Sequence, residues 1–546
     1  MLRALFLAGL LSTLLIPIGV AQEHERGNND KLGTVHFATS CSEQAHKDFD
    51  HAVALLHSFQ FSHAIQGFTA TLKVDPACGI AFWGIALSQW SNPFVAGMKD
   101  KSQLQSGRES AERGKGVGAN SERERAYITA VGKLYGDFEN IPQRARSVAY
   151  RDAMAELAAK YPEDSEGQIF YALAIAASED PADKTYAGRL KAGAILEKLF
   201  AQQPDHPGLA HYIIHTYDVP SLADRALPAA RRYSEIAPDA PHALHMPSHT
   251  FTRTGYWQDS INSNIAAAAA AKREGQTAEE LHSTDYQIYA YLQTAQDNAA
   301  RRLLNSVQEI SSRFDAQLVV SGAGGPSAGY FALAAIPARY ALERQDWKQA
   351  AQLTPQETPF PYTEAITWFA RGFGSAHLGQ AHGAYESAAA LKQIQERLAE
   401  AGENYWALQV EIQQLEVAAW AALAESQKDQ TKKGEALRQM KSATELEDGT
   451  EKSAITPGPI APARELLGEM FLQMNEPAQA LQQFEATLKK EPGRFRALYG
   501  AAHAAQLSGN HEASQKYFRE LLKVCEHADN PGRSEILEAK RALSQK

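Results

Sequence analysis

A spacing of 34 residues recurs along this chain, and few architectures accommodate a period of that length. Phe518 follows Phe484 by 34 positions, and Ala384 follows Ala350 by the same interval. The stretch "ARELLGEMFLQMNEPAQALQQFEATLKKEPGRF" sets Leu467, Gly468, Phe471, Ala480, Phe484 and Pro492 in one unit. Near the other end, "HAVALLHSFQFSHAIQGFTATLKVDP" places Ala52, Ala64, Phe68 and Pro76 at matching offsets. Alanine, leucine, glutamine and glutamate dominate and alternating β-type runs are scarce, so the chain reads as helical almost throughout. A unit of this length buries its apolar faces only by stacking on its neighbours, which yields an elongated array.

From about residue 43 to the end these landmarks resemble the tetratricopeptide repeat superfamily. The resemblance implies an all-α fold, an α-solenoid of helix–turn–helix repeats wound into a superhelix with a concave groove. It also implies that the first helix of each pair lines that groove and the second lies outside. Three stretches break the pattern. Residues 97–125 are polar and glycine-spotted and read as an insertion. "SGAGGPSAG", 321–329, lacks the lysine of a phosphate loop and reads as a flexible connection. "DGTEKSAITPGPIAP", 448–462, reads as a linker. The expected organisation is a signal peptide at 1–21, a lead-in at 22–42 and N-terminal repeats at 43–96. The insertion at 97–125, a central array at 126–447, the linker at 448–462 and C-terminal repeats at 463–546 follow.

The start, "MLRALFLAGLLSTLLIPIGVAQEHER", has a positive residue, an apolar stretch and the small residues Gly19-Val20-Ala21 before Gln22. That pattern reads as a secretory signal, with an uncleaved anchor as the alternative. The expected location is therefore exported, periplasmic or secreted, with no membrane span once the signal is cut. A formal charge of −10 without a basic block argues against a nucleic-acid partner. Of the three cysteines, Cys41 and Cys78 lie about one repeat apart, so a disulfide between them would staple the N-terminal cap. Cys525 is left over as a small buried side chain.

The most informative residues are histidines. Numbered by the repeat landmarks, His211 and His215 fall at positions 5 and 9 of one unit, with Asp218 at 12. His242, His245 and His249 fall at 2, 5 and 9 of the next, so His245 and His249 follow His211 and His215 by 34 residues each. In the unit after that, His282, Asp285 and Tyr289 take the same three positions. Each set shares one helical face. In the repeat family, positions 2, 5, 9 and 12 of the first helix face the groove, so the resemblance places these imidazoles there.

Three readings follow. One is a transition-metal site with imidazole ligands and Asp218 or Asp285 as ligand or supporting carboxylate. Zinc, copper, iron or nickel would suit it better than calcium or magnesium. Another is a polar groove for a peptide, protein or small anion, and the third is hydrogen-bonded packing between helices. An enzyme is the alternative to a binding protein. The pair in "HYIIH" lacks the internal glutamate of a zinc protease, and no motif names a reaction. Crowded imidazoles depress one another's pKa and so stay neutral, which suits metal binding. Other expected groove residues are Trp83, Trp90, Arg339, Phe369 and Phe373. His206, beside Pro207, reads as a surface or turn residue. His46, His51, His57 and His63 are scattered around the first unit, with only His46 at a groove position. His377 is a groove candidate without a matching neighbour.

Overall fold

The structure, a computed structural model, describes residues 30–316 and 322–544; the signal-like N-terminus lies outside them. The described residues form helices and connecting turns without strands. Successive helices pack as antiparallel pairs, beginning with Glu43–His57 against Phe61–Val74 and ending with Phe495–Leu507 against His511–Val524. Ser534–Ser544 caps the last pair. The architecture is a tetratricopeptide-like α-solenoid. No described helix is long and apolar enough to cross a membrane.

The small and aromatic landmarks recur because they set how closely helices approach. Phe68, on an outer helix, presses its ring on Gly84 of the next inner helix, where a Cβ would stand 2.3 Å from it. Phe484 does the same to Gly468 and Gly500, at 2.9 and 2.5 Å. Ala52, Ala64, Phe68, Ala480, Phe484 and Phe518 are all fully buried. Burial of such side chains contributes roughly 1.5–3 kcal/mol each for the large apolar ones. Packing gathers into one large core spanning residues 32–251 and another spanning 295–539, with smaller clusters between.

Residues 97–125, read as a polar insertion, contain the helix Lys101–Val117, which packs on Ile80–Trp90 as its hairpin partner. Asp100 caps it by accepting the Ser102 N–H at 2.7 Å. Leu104, Gly107, Ala111 and Gly114 form its buried stripe, spaced by three and four. The stripe is so narrow and glycine-rich that composition alone conceals it. The run "HALHMPSHT" also differs from one regular helix. Pro247 has no N–H to donate, and the run divides into Pro241–His245 and Pro247–Thr254, joined through Met246 in helical geometry.

The superhelix coils back on itself. Trp257 Nε1 donates to Gly493 O at 3.0 Å, Trp406 Nε1 to Ala96 O at 3.3 Å, and Lys184 pairs with Glu451 at 2.8 Å. The 448–462 segment lies inside this coil. Its backbone carbonyls at Thr456, Gly458 and Pro459 are taken by Tyr286 and Arg339, so it straps across the concave side. Cys41 and Cys78 are joined by a disulfide that ties the first hairpin to the second. Cys525 is buried, and burial pushes its thiol up to about 12.

Candidate metal centre

Three inner helices meet at the centre of the array: Pro207–Thr216, the broken helix from Pro241 to Thr254, and Thr277–Gln293. Repeat register brings six imidazoles from these helices into two groups. His211, His215 and His242 form one and His245, His249 and His282 the other. Within each group the potential ligand nitrogens lie within 4.8 Å of one another. The groups adjoin, with ring centroids 5.8 Å apart for His215 and His249 and again for His242 and His245. All six rings are buried.

Hydrogen bonds fix which nitrogen faces inward. His211 Nδ1 donates to the His57 carbonyl at 2.6 Å, and His242 Nδ1 to Glu279 at 2.9 Å. His249 Nδ1 donates to Asp218 at 3.0 Å. His245 Nδ1 donates to Asn264 Oδ1 at 2.7 Å, and the Asn264 amide is itself oriented by donating to Ser260 O. A neutral imidazole that donates from Nδ1 carries its lone pair on Nε2. The Nε2 atoms of His211, His215 and His242 are buried without a protein partner. Those of His245 and His249 face each other at 3.1 Å.

Burial, followed by crowding from His242, holds the His211 imidazolium well below its usual range. Burial and then a neighbouring imidazole do the same to His215 (through His211) and to His245 (through His249). His282 is lowered by burial and then His245. Burial lowers His249 to about 4 even though Asp218 opposes it. Burial would raise the carboxyls of Asp218 and Glu279, but their cationic and imidazole neighbours hold both below the carboxylate range. Lys452 and Arg253 act on Asp218, and His242 on Glu279. Five of the six imidazoles are thus held below their usual range with ionised carboxylates behind the centre, the combination found behind metal ligands.

The remaining expected site residues are placed as follows. Asp218 backs His249 and also binds Arg253 and Lys452 at 3.0 and 2.9 Å. Asp285 does not join the histidines; it pairs with Arg339 at 3.0 Å. Arg339 is not open to a groove ligand, because its other donors hold the 448–462 strap. Tyr289 is buried beneath that arginine and accepts from Arg494. Trp83 packs among Phe37, Phe68, Tyr127 and Phe170 and is core, not groove. Phe369 and Phe373 likewise belong to the second core. Trp90 lines a cavity taken up below. His46 bonds to the Cys41 carbonyl, and His377 stacks on Trp347 and Trp420, both away from the centre.

His206 is a correction of another kind. It is 1 % exposed, and its Nε2 donates to Glu166 at 2.8 Å. The other oxygen of Glu166 accepts from His57 Nε2 at 2.9 Å, while Tyr212 donates to His57 Nδ1. This network anchors the residue whose carbonyl orients His211. Gly208 makes room for it, since a Cβ there would stand 2.3 Å from His57 Nδ1. Long-range pairing of this kind leaves no local sequence signal. Glu279 has one: it sits three residues before His282, on the adjacent turn of the same helix.

Over the centre, Asn92, Val95, Ala323, Gly324, Ala454 and Ile455 close a cavity of about 20 Å³ against His215, His242, His249 and His282. That is room for an ion or a water and little else.

No family model matches the chain, and no curated protein matches it. Among solved structures it matches the human IFIT1 dimer with m7Gppp-AAAA at a TM-score of 0.35 and 11 % identity, over 82 % of this chain and 89 % of that one. It also matches the APC/C hetero-tetramer Cut9–Hcn1 at 0.30 and 12 % identity, over 92 % and 90 %. TM-scores this low leave the centre to be read from its own geometry.

Proposed function

We propose that this chain is an exported metalloprotein whose six central imidazoles hold two transition-metal ions. His211, His215 and His242 would bind one ion and His245, His249 and His282 the other. The observation that carries this reading is the direction of the lone pairs. Rings tied down through Nδ1 turn Nε2 inward, and those of His245 and His249 stand 3.1 Å apart, with the Tyr286 hydroxyl 3.3 Å from the latter. A cation bound by both would take up the two inward-facing nitrogens at once. Nitrogens at this separation subtend roughly 100° at an ion bound at about 2.0–2.1 Å, an ordinary ligand angle.

An all-imidazole first sphere suits zinc, copper, iron or nickel. Three protein ligands per ion leave coordination positions open, so bound ions would activate a small molecule such as water or dioxygen. The partner of this centre is then a small molecule and not a peptide laid along the groove. Support for that choice comes from the 448–462 strap, which already takes up the hydrogen-bonding side chains of the groove at Tyr286 and Arg339. The Cys41–Cys78 pairing supports export, since disulfides persist in oxidising compartments.

Elemental analysis of protein made without a histidine tag tests the reading. Up to two equivalents of a first-row metal are expected, with His211→Ala and His245→Ala each lowering the content. Folded protein that neither carries nor takes up such metals overturns it.

A further inference from the structure

An apolar cavity lies against the imidazole centre and is not part of it. It has a volume of about 370 Å³ and is walled mainly by Leu87, Trp90, Phe94, Phe170 and Leu173. Phe94 separates it from the centre, with its ring stacked on His215 at a centroid distance of 4.1 Å. Phe59, which also lines the cavity, stacks on His242 at 5.6 Å and meets His211 edge-on at 4.3 Å. Val95 borders this cavity on one side and the small histidine cavity on the other. The wall between them is thus a thin loop around residues 91–97, whose Ser91 holds a left-handed φ of 56°.

Among the described residues, the Lys99 ammonium on the lining has no carboxylate partner. Lys99 Nζ donates to the Asn92 carbonyl at 2.7 Å and lies 5.8 Å from the Trp90 ring centroid. The acidic groups on the lining are engaged elsewhere. Glu179 pairs with Arg189 at 2.8 Å, Asp180 with Arg144 at 3.3 Å, and Glu451 with Lys184 at 2.8 Å. Asp183 accepts from Thr185. Burial pushes the Lys99 ammonium down to about 7, and a carboxylate beside it would restore the charge. An unpaired ammonium on an apolar wall is costly unless a ligand supplies the counter-charge.

We infer that this cavity binds an apolar, aromatic carboxylic acid, with its carboxylate on Lys99 and its ring among Trp90, Phe94 and Phe170. That its body would lie next to the metal ions, as their substrate, rests on the proposed metal reading; the binding itself does not. The charge complement selects the acid, and the aromatic lining selects the ring.

The test uses metal-free full-length protein and 3-phenylpropionate, with the uncharged 3-phenylpropan-1-ol as comparison. Calorimetric titration is expected to show tighter binding of the acid than of the alcohol. Lys99→Met should weaken the acid about tenfold or more, the usual worth of a charged hydrogen bond, and leave the alcohol unchanged. If that variant fails to fold, Lys99→Arg should keep the preference for the acid. Equal binding of acid and alcohol, binding of neither, or a Lys99→Met variant with unchanged affinity for the acid overturns the inference. Acid binding by a protein that never takes up metal would retain the cavity and sink only the metal reading. Metal without acid binding would do the reverse.

Discussion

His245 and His249 confront each other through their Nε2 atoms at 3.1 Å, one on each side of Pro247. The opposite nitrogen of each ring is occupied, by Asn264 and by Asp218. Four residues of separation put both rings on one face, and helical geometry carried through the proline keeps them there. The outer partners, both acceptors, leave Nε2 as the nitrogen each ring turns toward the other, with the Tyr286 hydroxyl 3.3 Å from that of His249.

Supporting carboxylates should therefore control metal affinity without touching the metal. Glu279 accepts from His242 Nδ1 at 2.9 Å and from the Gly324 N–H at 2.6 Å. Glu279→Gln offers one acceptor where two bonds need one each, and it removes the negative charge behind His242. Affinity is expected to fall by roughly 10–100-fold, measured by chelator competition, with the helical circular dichroism unchanged. Unchanged affinity would exclude His242 as a ligand.

Metal-free protein should lose stability as the solution is acidified. The buried imidazoles of His211, His215, His245 and His282 are lowered well below their usual pKa, and His249 to about 4. In the unfolded chain they titrate near 6.5, so the unfolded state takes up more protons below that value. Stability present above pH ~6.5 is then lost progressively as the pH falls from ~6.5 toward the folded-state values. Thermal melts should shift downward between pH 7 and pH 5. A flat profile across that interval would contradict the burial of neutral rings.

The strap over the groove should depend on one arginine. Arg339 is fully buried and bonds Asp285 at 3.0 Å, Thr456 at 2.7 Å and the carbonyls of Gly458 and Pro459 at 3.0 and 2.9 Å. Arg339→Ala leaves Asp285 buried without its partner, a loss of about 3–5 kcal/mol. Hydrogen exchange should rise across residues 453–460 before it rises elsewhere. Arg339→Lys cannot reproduce the fork of donors and should be only a partial remedy.

Two glycines should respond in opposite directions to the same substitution. Gly84→Ala would set a Cβ 2.3 Å from the buried Phe68 ring, a clash expected to cost about 1–3 kcal/mol. Gly116, near the end of the Lys101–Val117 helix, has nothing within 4 Å of the same position. Gly116→Ala should be neutral or stabilising by up to about 1 kcal/mol. Denaturant midpoints of the two variants provide the check.

The recurrence of small and aromatic residues, and the shared face of each histidine set, were legible because both are local. A helix repeats its faces every three or four residues, and a solenoid repeats its packing every 34. The same rule misled at Phe369, Phe373 and Trp83, which sit at groove register but are covered by neighbouring helices. It missed the network of His57, Glu166 and His206, whose contacts span as many as 155 residues.

Chain order alone determined that the protein is an array of helical hairpins and that each set of histidines shares one helical face, since these follow from periodicity. Tertiary structure decided which nitrogen of the tethered rings turns inward, that Arg339 and Tyr286 serve a strap, and that an apolar chamber adjoins the centre. Those outcomes depend on superhelical coiling, which brings distant segments together with a geometry that no local spacing encodes.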